Sequence, residues 1–347
     1  MRLLIIGGTG FMGPFVLKIL AAAGHELAVY HRGLALPTLP GGVREILGDQ
    51  RELAKSAPEF RAFAPDVVVN FILASERQAK IAMDVFRGIA GRMVVLSSGD
   101  VYRAAGVLHG TEPGPLQPMP LTEESDLRSH GPTYRKEAIE LLRKTFAWLD
   151  DDYNKIPVER LVMSDPELAG TILRLPMVYG PGDPLHRLYP YLKRMDDGRP
   201  AILIQEDGAN WRGPRGYVEN VAAGIALAAT APTAAGRIYN LAEPESFTEL
   251  EWAQQIARLA EWRGWVLPVA ADVTPEHLKL PYNSAQHWTM SSTRIRQELG
   301  YSEPVPLETA LARTIAWERA NPPVEVDPKQ FDYASEDAAL ERLHFVG

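Results

Sequence analysis

The chain contains no cysteine, which removes disulfides, thiolate catalysis and cysteine-ligated metal from consideration. It also lacks an excess of positive charge, with 36 Lys plus Arg against 44 Asp plus Glu, a net of −8. A phosphate backbone would approach such a protein against repulsion, so no nucleic-acid partner is expected. No run reaches the ~18 apolar residues of a membrane span, and no membrane partner is expected. The eight histidines are scattered, with no pair at the spacing of a helical metal site, so no metal is expected. The first apolar run is strand-length and ends in glycines, unlike a secretory leader, which makes the cytoplasm the expected location.

What is present is apolar and periodic. Hydrophobic residues are 46% of 347, more chain than one core usually serves, so two lobes are expected. Strand-like runs at residues 3–6, 26–31, 43–47, 67–71, 93–97 and 171–175 alternate with amphipathic stretches at 11–23, 51–63 and 76–89. This alternation predicts an α/β fold, a Rossmann-type doubly wound parallel sheet with ligand at the carboxyl ends of its strands. Two stretches interrupt it: residues 106–132, rich in proline and glycine and followed by a charged helical segment at 134–148, and residues 179–215. Further helices are expected at 217–229, 248–262, 293–299 and 307–320, and a strand at 237–241. Residues 1–175 and 213–242 are thus assigned to a dinucleotide-binding domain. Residues 176–212 and 243–320 form a smaller, discontinuous, mostly helical substrate lobe, and 321–347 a tail whose sequence reveals no role.

Gly7-Gly8-Thr9-Gly10-Phe11-Met12-Gly13 follows the first run. Gly7 suits a tight turn, Gly10 lets the backbone approach a pyrophosphate, and Gly13 lets the new helix pack closely on the strand. The Phe11 and Met12 amides would face the phosphates at the positive end of the helix dipole. About twenty residues on, where an acidic side chain would accept from a ribose 2′-hydroxyl, stand His31 and Arg32. A phosphorylated ribose suits them, so NADP is favoured over NAD. Arg32 stacked on adenine or facing water is the alternative. Asp49 could meet the adenine edge or be a solvated loop residue.

The fifth run ends in Leu96-Ser97-Ser98-Gly99-Asp100-Val101-Tyr102, where a hydroxyl beside a nicotinamide would polarise a reacting oxygen. With the glycine motif and Leu173-Arg174-Leu175-Pro176-Met177-Val178-Tyr179-Gly180-Pro181-Gly182-Asp183, it resembles the extended short-chain dehydrogenase/reductases, the NAD-dependent epimerase/dehydratase family. The resemblance is ordered along residues 1–320. It implies Ser98 as catalytic hydroxyl, four residues before Tyr102, and Thr9, Phe71 and Pro176 as further cofactor contacts. It also implies Tyr102, Tyr134 and Met177 near the substrate.

The family's other catalytic pair, a Tyr and a Lys four apart on one helix, is missing. Tyr134 has Ala138 at the lysine position, and Lys155 has Asp151 where the tyrosine should be. Lys155 lies four before Glu159 and nineteen before Arg174, close to the family's usual spacing, and Tyr153 is only two residues away. On a regular helix two such residues point about 200° apart. Pro157 suggests that the helix starts hereabouts, and an irregular start could turn Tyr153 inward. Tyr153 is the candidate for proton transfer and Lys155 for holding the ribose and tuning the phenol; Tyr134 is the reserve phenol. Many family members carry an asparagine that meets substrate phosphate where Met177 stands, which weakens a diphosphate reading. Arg212 and Arg215, around Trp211, offer two guanidiniums for an anionic or cyclic polar ligand, or a solvated rim. Trp252 and Trp262 read as core.

The expected function is NAD(P)-dependent oxidoreduction, epimerisation or dehydration of a sugar-nucleotide-like or other polyol or carbonyl small molecule, with a homodimer as the assembly to consider. Two alternatives stand beside it: a catalytically degenerate NAD(P)-binding regulator or scaffold, and an RNA-associated atypical member of the family.

Overall fold

The computed structural model describes residues 1–34, 39–130, 134–149 and 152–344. Asp151, the end of the 106–132 stretch and the last three residues of the tail lie outside the described residues. Chain order begins with β1 (Arg2–Ile6), α1 (Gly13–Ala22), β2 (Glu26–His31), β3 (Arg44–Leu47), α2 (Ala57–Phe63), β4 (Val67–Asn70), α3 (Glu76–Phe86) and β5 (Arg92–Ser98). It continues through α4 (Arg103–His109), α5 (Lys136–Thr145), α6 (Lys155–Ser164), β6 (Ala169–Leu175), β7 (Met177–Tyr179), α7 (Tyr189–Asp196), β8 (Ala201–Gln205), α8 (Glu206–Ala209) and β9 (Arg215–Tyr217). The remainder holds α9 (Val218–Thr230), β10 (Arg237–Asn240), α10 (Glu249–Leu259), β11 (Trp265–Val269), α11 (Thr293–Leu299), α12 (Leu307–Ala320) and α13 (Tyr333–Arg342).

Seven strands pair in the order β10-β6-β5-β4-β1-β2-β3, every pair parallel. This is the Rossmann-type α/β architecture that the alternation of runs predicts. Strand order reverses at β1, which opens a crevice past its carboxyl end. Leu3 to Ile6 are all buried, as a strand covered on both faces requires. Leu3 and Ile5 join the core beneath α1 and α9, while Leu4 and Ile6 join the core beneath α2, α3 and α6. Gly13 opens α1 against the preceding turn, where an added Cβ would stand 2.1 Å from the Gly8 carbonyl oxygen. Only glycine permits that approach.

β8 and β11 form a small separate parallel sheet, and β7 pairs with β9. Sequence periodicity left the tail without a role, yet α13 packs Ala339 and Leu340 onto the small sheet's Ala201, Leu203 and Val269. The charged segment expected to be helical over 134–148 is shorter, α5, with Ile139 alone of its residues buried. The loop expected over 106–132 begins inside α4. Among the described residues no helix is long and apolar enough to cross a membrane.

Candidate active site

A cavity of about 620 Å³ opens past the carboxyl ends of the central strands. At one end it is lined by Gly7, Thr9, Gly10, Phe11 and Met12 between β1 and α1. Gly7 takes φ +78°, and the Cα of Gly10 faces open space. A backbone turn with a helix start behind it and room before it fits a pyrophosphate. His31, Arg32 and Asp49 line the next part, with Phe71 and Pro176 further along. His31 is not available to a ligand: Nδ1 accepts from the Gly33 amide at 3.2 Å and Nε2 lies 3.0 Å from Glu45 Oε2. Arg32 is exposed at the cavity edge. Asp49 Oδ1 accepts from the Arg51 amide at 2.9 Å and so shapes the turn after β3.

The other end brings together Ser98, Asp100, Tyr134, Tyr153 and Lys155. Ser98 ends β5, and its Oγ accepts from the Asp100 amide at 3.2 Å. Helix α6 starts at Lys155, capped by Asn154, whose Oδ1 accepts from the Ile156 amide at 3.2 Å. Tyr153 therefore precedes the helix, and the 200° separation of two helical neighbours does not apply. Both side chains line the same cavity, the Lys155 Nζ 6.0 Å from the Tyr153 ring centre. Lys155 is buried and donates to Leu96 O at 3.0 Å and to Leu73 O. Burial pushes its pKa down to about 8, opposed by the negative charge of Asp100 and Glu159. The Trp148 ring lies 5.6 Å from the same ammonium.

Asp100 was quoted within the serine motif but not singled out, and it stands at the centre of this end. It is 1% exposed. Its Oδ2 accepts from the Tyr153 hydroxyl at 2.7 Å and from the Tyr134 hydroxyl at 3.1 Å. Burial, then the Asp100 charge, holds both phenols well above their ordinary pKa. Residues 145–149 also line the cavity, tied down by Gln78 Nε2 to Trp148 O at 3.3 Å. A carboxylate two residues past a candidate catalytic serine was the signal available for Asp100; nothing local marked residues 145–149.

Several expected residues lie elsewhere. Gly13 packs behind the turn. Tyr102 is wholly buried, donating to Asn240 Oδ1 at 2.6 Å and accepting from Arg174 Nη1 at 3.0 Å. Arg174 in turn pairs with Glu159 at 2.7 Å, and Glu159 accepts from Ser97 Oγ at 2.5 Å. This is a structural network behind β5 and β6. Met177 packs in a small core with Trp211 and Tyr282. Arg212 meets Ser246 O and Glu251, at 3.3 Å, and Arg215 donates to Glu249 Oε2 at 2.6 Å. Neither guanidinium lines the cavity. Burial pushes the Arg215 pKa down to about 10, opposed by the nearby Glu243 charge. Among the described residues no cluster of His, Asp or Glu could hold a metal.

The fold is a Rossmann-type α/β fold with a cavity past the carboxyl ends of its central strands. The sequence model of the NAD dependent epimerase/dehydratase family matches residues 152–242, and the chain resembles that family. Among curated proteins it is 26% identical over 218 residues to 2'-dehydrokanamycin reductase of Streptomyces kanamyceticus, covering 61% of this chain and 53% of that one. It is 27% identical over 191 residues to the uncharacterized protein y4nL of Sinorhizobium fredii (strain NBRC 101917 / NGR234), covering 47% and 52%. The chain thus spans about half the length of these curated relatives. Among solved structures, MoeE5 in complex with UDP-glucuronic acid and NAD has a TM-score of 0.66 at 19% identity, over 92% of this chain and 99% of that one. The dTDP-glucose 4,6-dehydratase of Bacillus anthracis str. Ames, in complex with NAD, has a TM-score of 0.67 at 14% identity, over 92% and 97%. At such identities these two show likeness of fold.

Proposed function

We propose that the chain is an NAD(P)-dependent oxidoreductase, epimerase or dehydratase acting on a polyol, carbonyl or sugar-like small molecule. The observation that carries this reading is one continuous cavity running from the glycine turn to Ser98, Tyr153 and Lys155. The turn at Gly7 to Met12 holds the pyrophosphate, Phe71 and Pro176 flank the route between the two ends, and Lys155 holds the nicotinamide ribose. Arg32 favours NADP, because it is an exposed cation at the cavity edge while His31 is occupied with Glu45. When bound, the nicotinamide supplies the hydride acceptor or donor. Ser98 holds the reacting oxygen by its hydroxyl. Tyr153 moves the proton at that oxygen, and Asp100 aims the phenol. Tyr134 lies over the same carboxylate and closes that wall of the cavity.

The altered Tyr/Lys spacing favours a second reading. Lys155 spends its ammonium on two carbonyl groups, and Asp100 holds the phenol pKa up instead of lowering it. A cofactor-binding protein without turnover would have this arrangement. One experiment separates the two: calorimetry with NADPH and NADH, followed by single-turnover nicotinamide absorbance on wild type and Ser98→Ala. Cofactor binding with turnover that falls at least a hundredfold in the variant supports the enzyme. Turnover undiminished in Ser98→Ala removes the proposed mechanism, and no cofactor binding removes the function.

A further inference from the structure

The two arginines that could answer a nucleotide diphosphate are already committed: Arg212 to Ser246 O and Glu251, Arg215 to Glu249 and to Phe247 O. The cations lining the cavity beyond Ser98 are committed too. Lys155 donates to two backbone carbonyls, and Arg187 Nη1 donates to Asp183 at 2.6 Å and to Val178 O at 2.7 Å. Away from a helix start a diphosphate is best answered by guanidinium or ammonium donors, and recruiting Arg187 or Arg215 would break partly buried ion pairs.

The same end of the cavity has a surplus acceptor. Asp100 lines it at 1% exposure, and while Oδ2 takes both phenols, Oδ1 is buried with no donor among the described residues. A buried carboxylate oxygen without a donor is costly unless a ligand supplies one. The rings of Tyr134, Tyr153 and Trp148 line the same cavity, the last two also facing the Lys155 ammonium, and aromatic faces attract an ammonium.

Resting on the hydride-transfer reading above, we propose that the substrate is a phosphate-free polyol carrying a primary ammonium, received by Asp100. The ammonium donates to Oδ1, and a hydroxyl or carbonyl of the same molecule lies at Ser98 and Tyr153. The carboxylate thus serves recognition and phenol orientation together. The presence of 2'-dehydrokanamycin reductase among the relatives is consistent with such a ligand.

The test is calorimetry at pH 7 on the full chain saturated with NADPH, or with NADH if that binds more tightly. The probes are kanamycin, kanamycin acetylated on every amine, and UDP-glucose. Kanamycin is expected to bind at least tenfold more tightly than either of the others, and Asp100→Asn to weaken it at least tenfold. UDP-glucose binding as tightly as kanamycin, acetylated kanamycin binding as well as the free amine, or no kanamycin binding overturns the proposal. If Asp100→Asn fails to fold by its melting curve, the acetylation comparison on wild type decides. Failure to bind either cofactor would instead sink the hydride-transfer reading, so the two failures are distinct.

Discussion

At the scale of single residues, the proposed chemistry turns on which phenol reaches the reacting oxygen. Tyr153 and Tyr134 share Asp100 Oδ2, but Tyr153 has the shorter bond and also reaches Ser98. Both phenols are held protonated near neutral pH, so each arrives at the site as a proton donor. Tyr153→Phe should lower kcat by about 10²–10⁴ with KM little changed, whereas Tyr134→Phe should cost less than about tenfold. Steady-state kinetics on the two variants checks this, and the reverse order would give the proton to Tyr134. That Ser98, Lys155 and the glycine turn line one cavity was legible because short motifs mark their positions. The capture of Arg215 by Glu249, thirty-four residues away, was not, because no local pattern reveals an ion pair between distant segments.

At the scale of elements, the strand-to-helix turns decide what the side chains can do. α6 begins with an extended Asn154 and places Pro157 in its first turn, where a missing amide hydrogen is tolerated. That start was legible from Pro157; the inward direction of Tyr153 depends on residues packed against it from β5 and from the segment before α5. The β1 turn is more rigidly specified. Gly13→Ala would drive a methyl into the Gly8 carbonyl, so α1 must shift off the sheet. The variant should lose NADPH affinity at least tenfold by calorimetry and melt lower, whereas Gly24→Ala, with open space around its Cα but φ +79°, should change stability alone. Strands β1, β2, β4 and β5 were readable because parallel strands buried on both faces are continuous apolar runs. α5 was over-read by several residues because the helix ends at Thr145 and the chain beyond it turns to line the cavity.

At the scale of the whole molecule, the tail packs back onto α7 and the small β8–β11 sheet. Arg194 on α7 pairs with Glu336 on α13 at 2.7 Å, both side chains nearly inaccessible, and His277 lies 3.0 Å from the same carboxylate. Removing one member of a buried pair strands the other charge, so Arg194→Met should cost about 3–5 kcal/mol in denaturant unfolding. A double variant that also carries Glu336→Leu should recover much of that loss, since neither charge is then left unpaired. The order of apolar and glycine-rich segments by itself determined the parallel sheet, the glycine turn after β1 and the position of the serine, because these follow from periodicity and backbone geometry within a few residues. Only the tertiary structure decided that Asp100 gathers two phenols, that the outer arginines are already paired and that α13 covers the small sheet. Those outcomes depend on burial and charge brought together across tens to hundreds of residues, which no local pattern encodes.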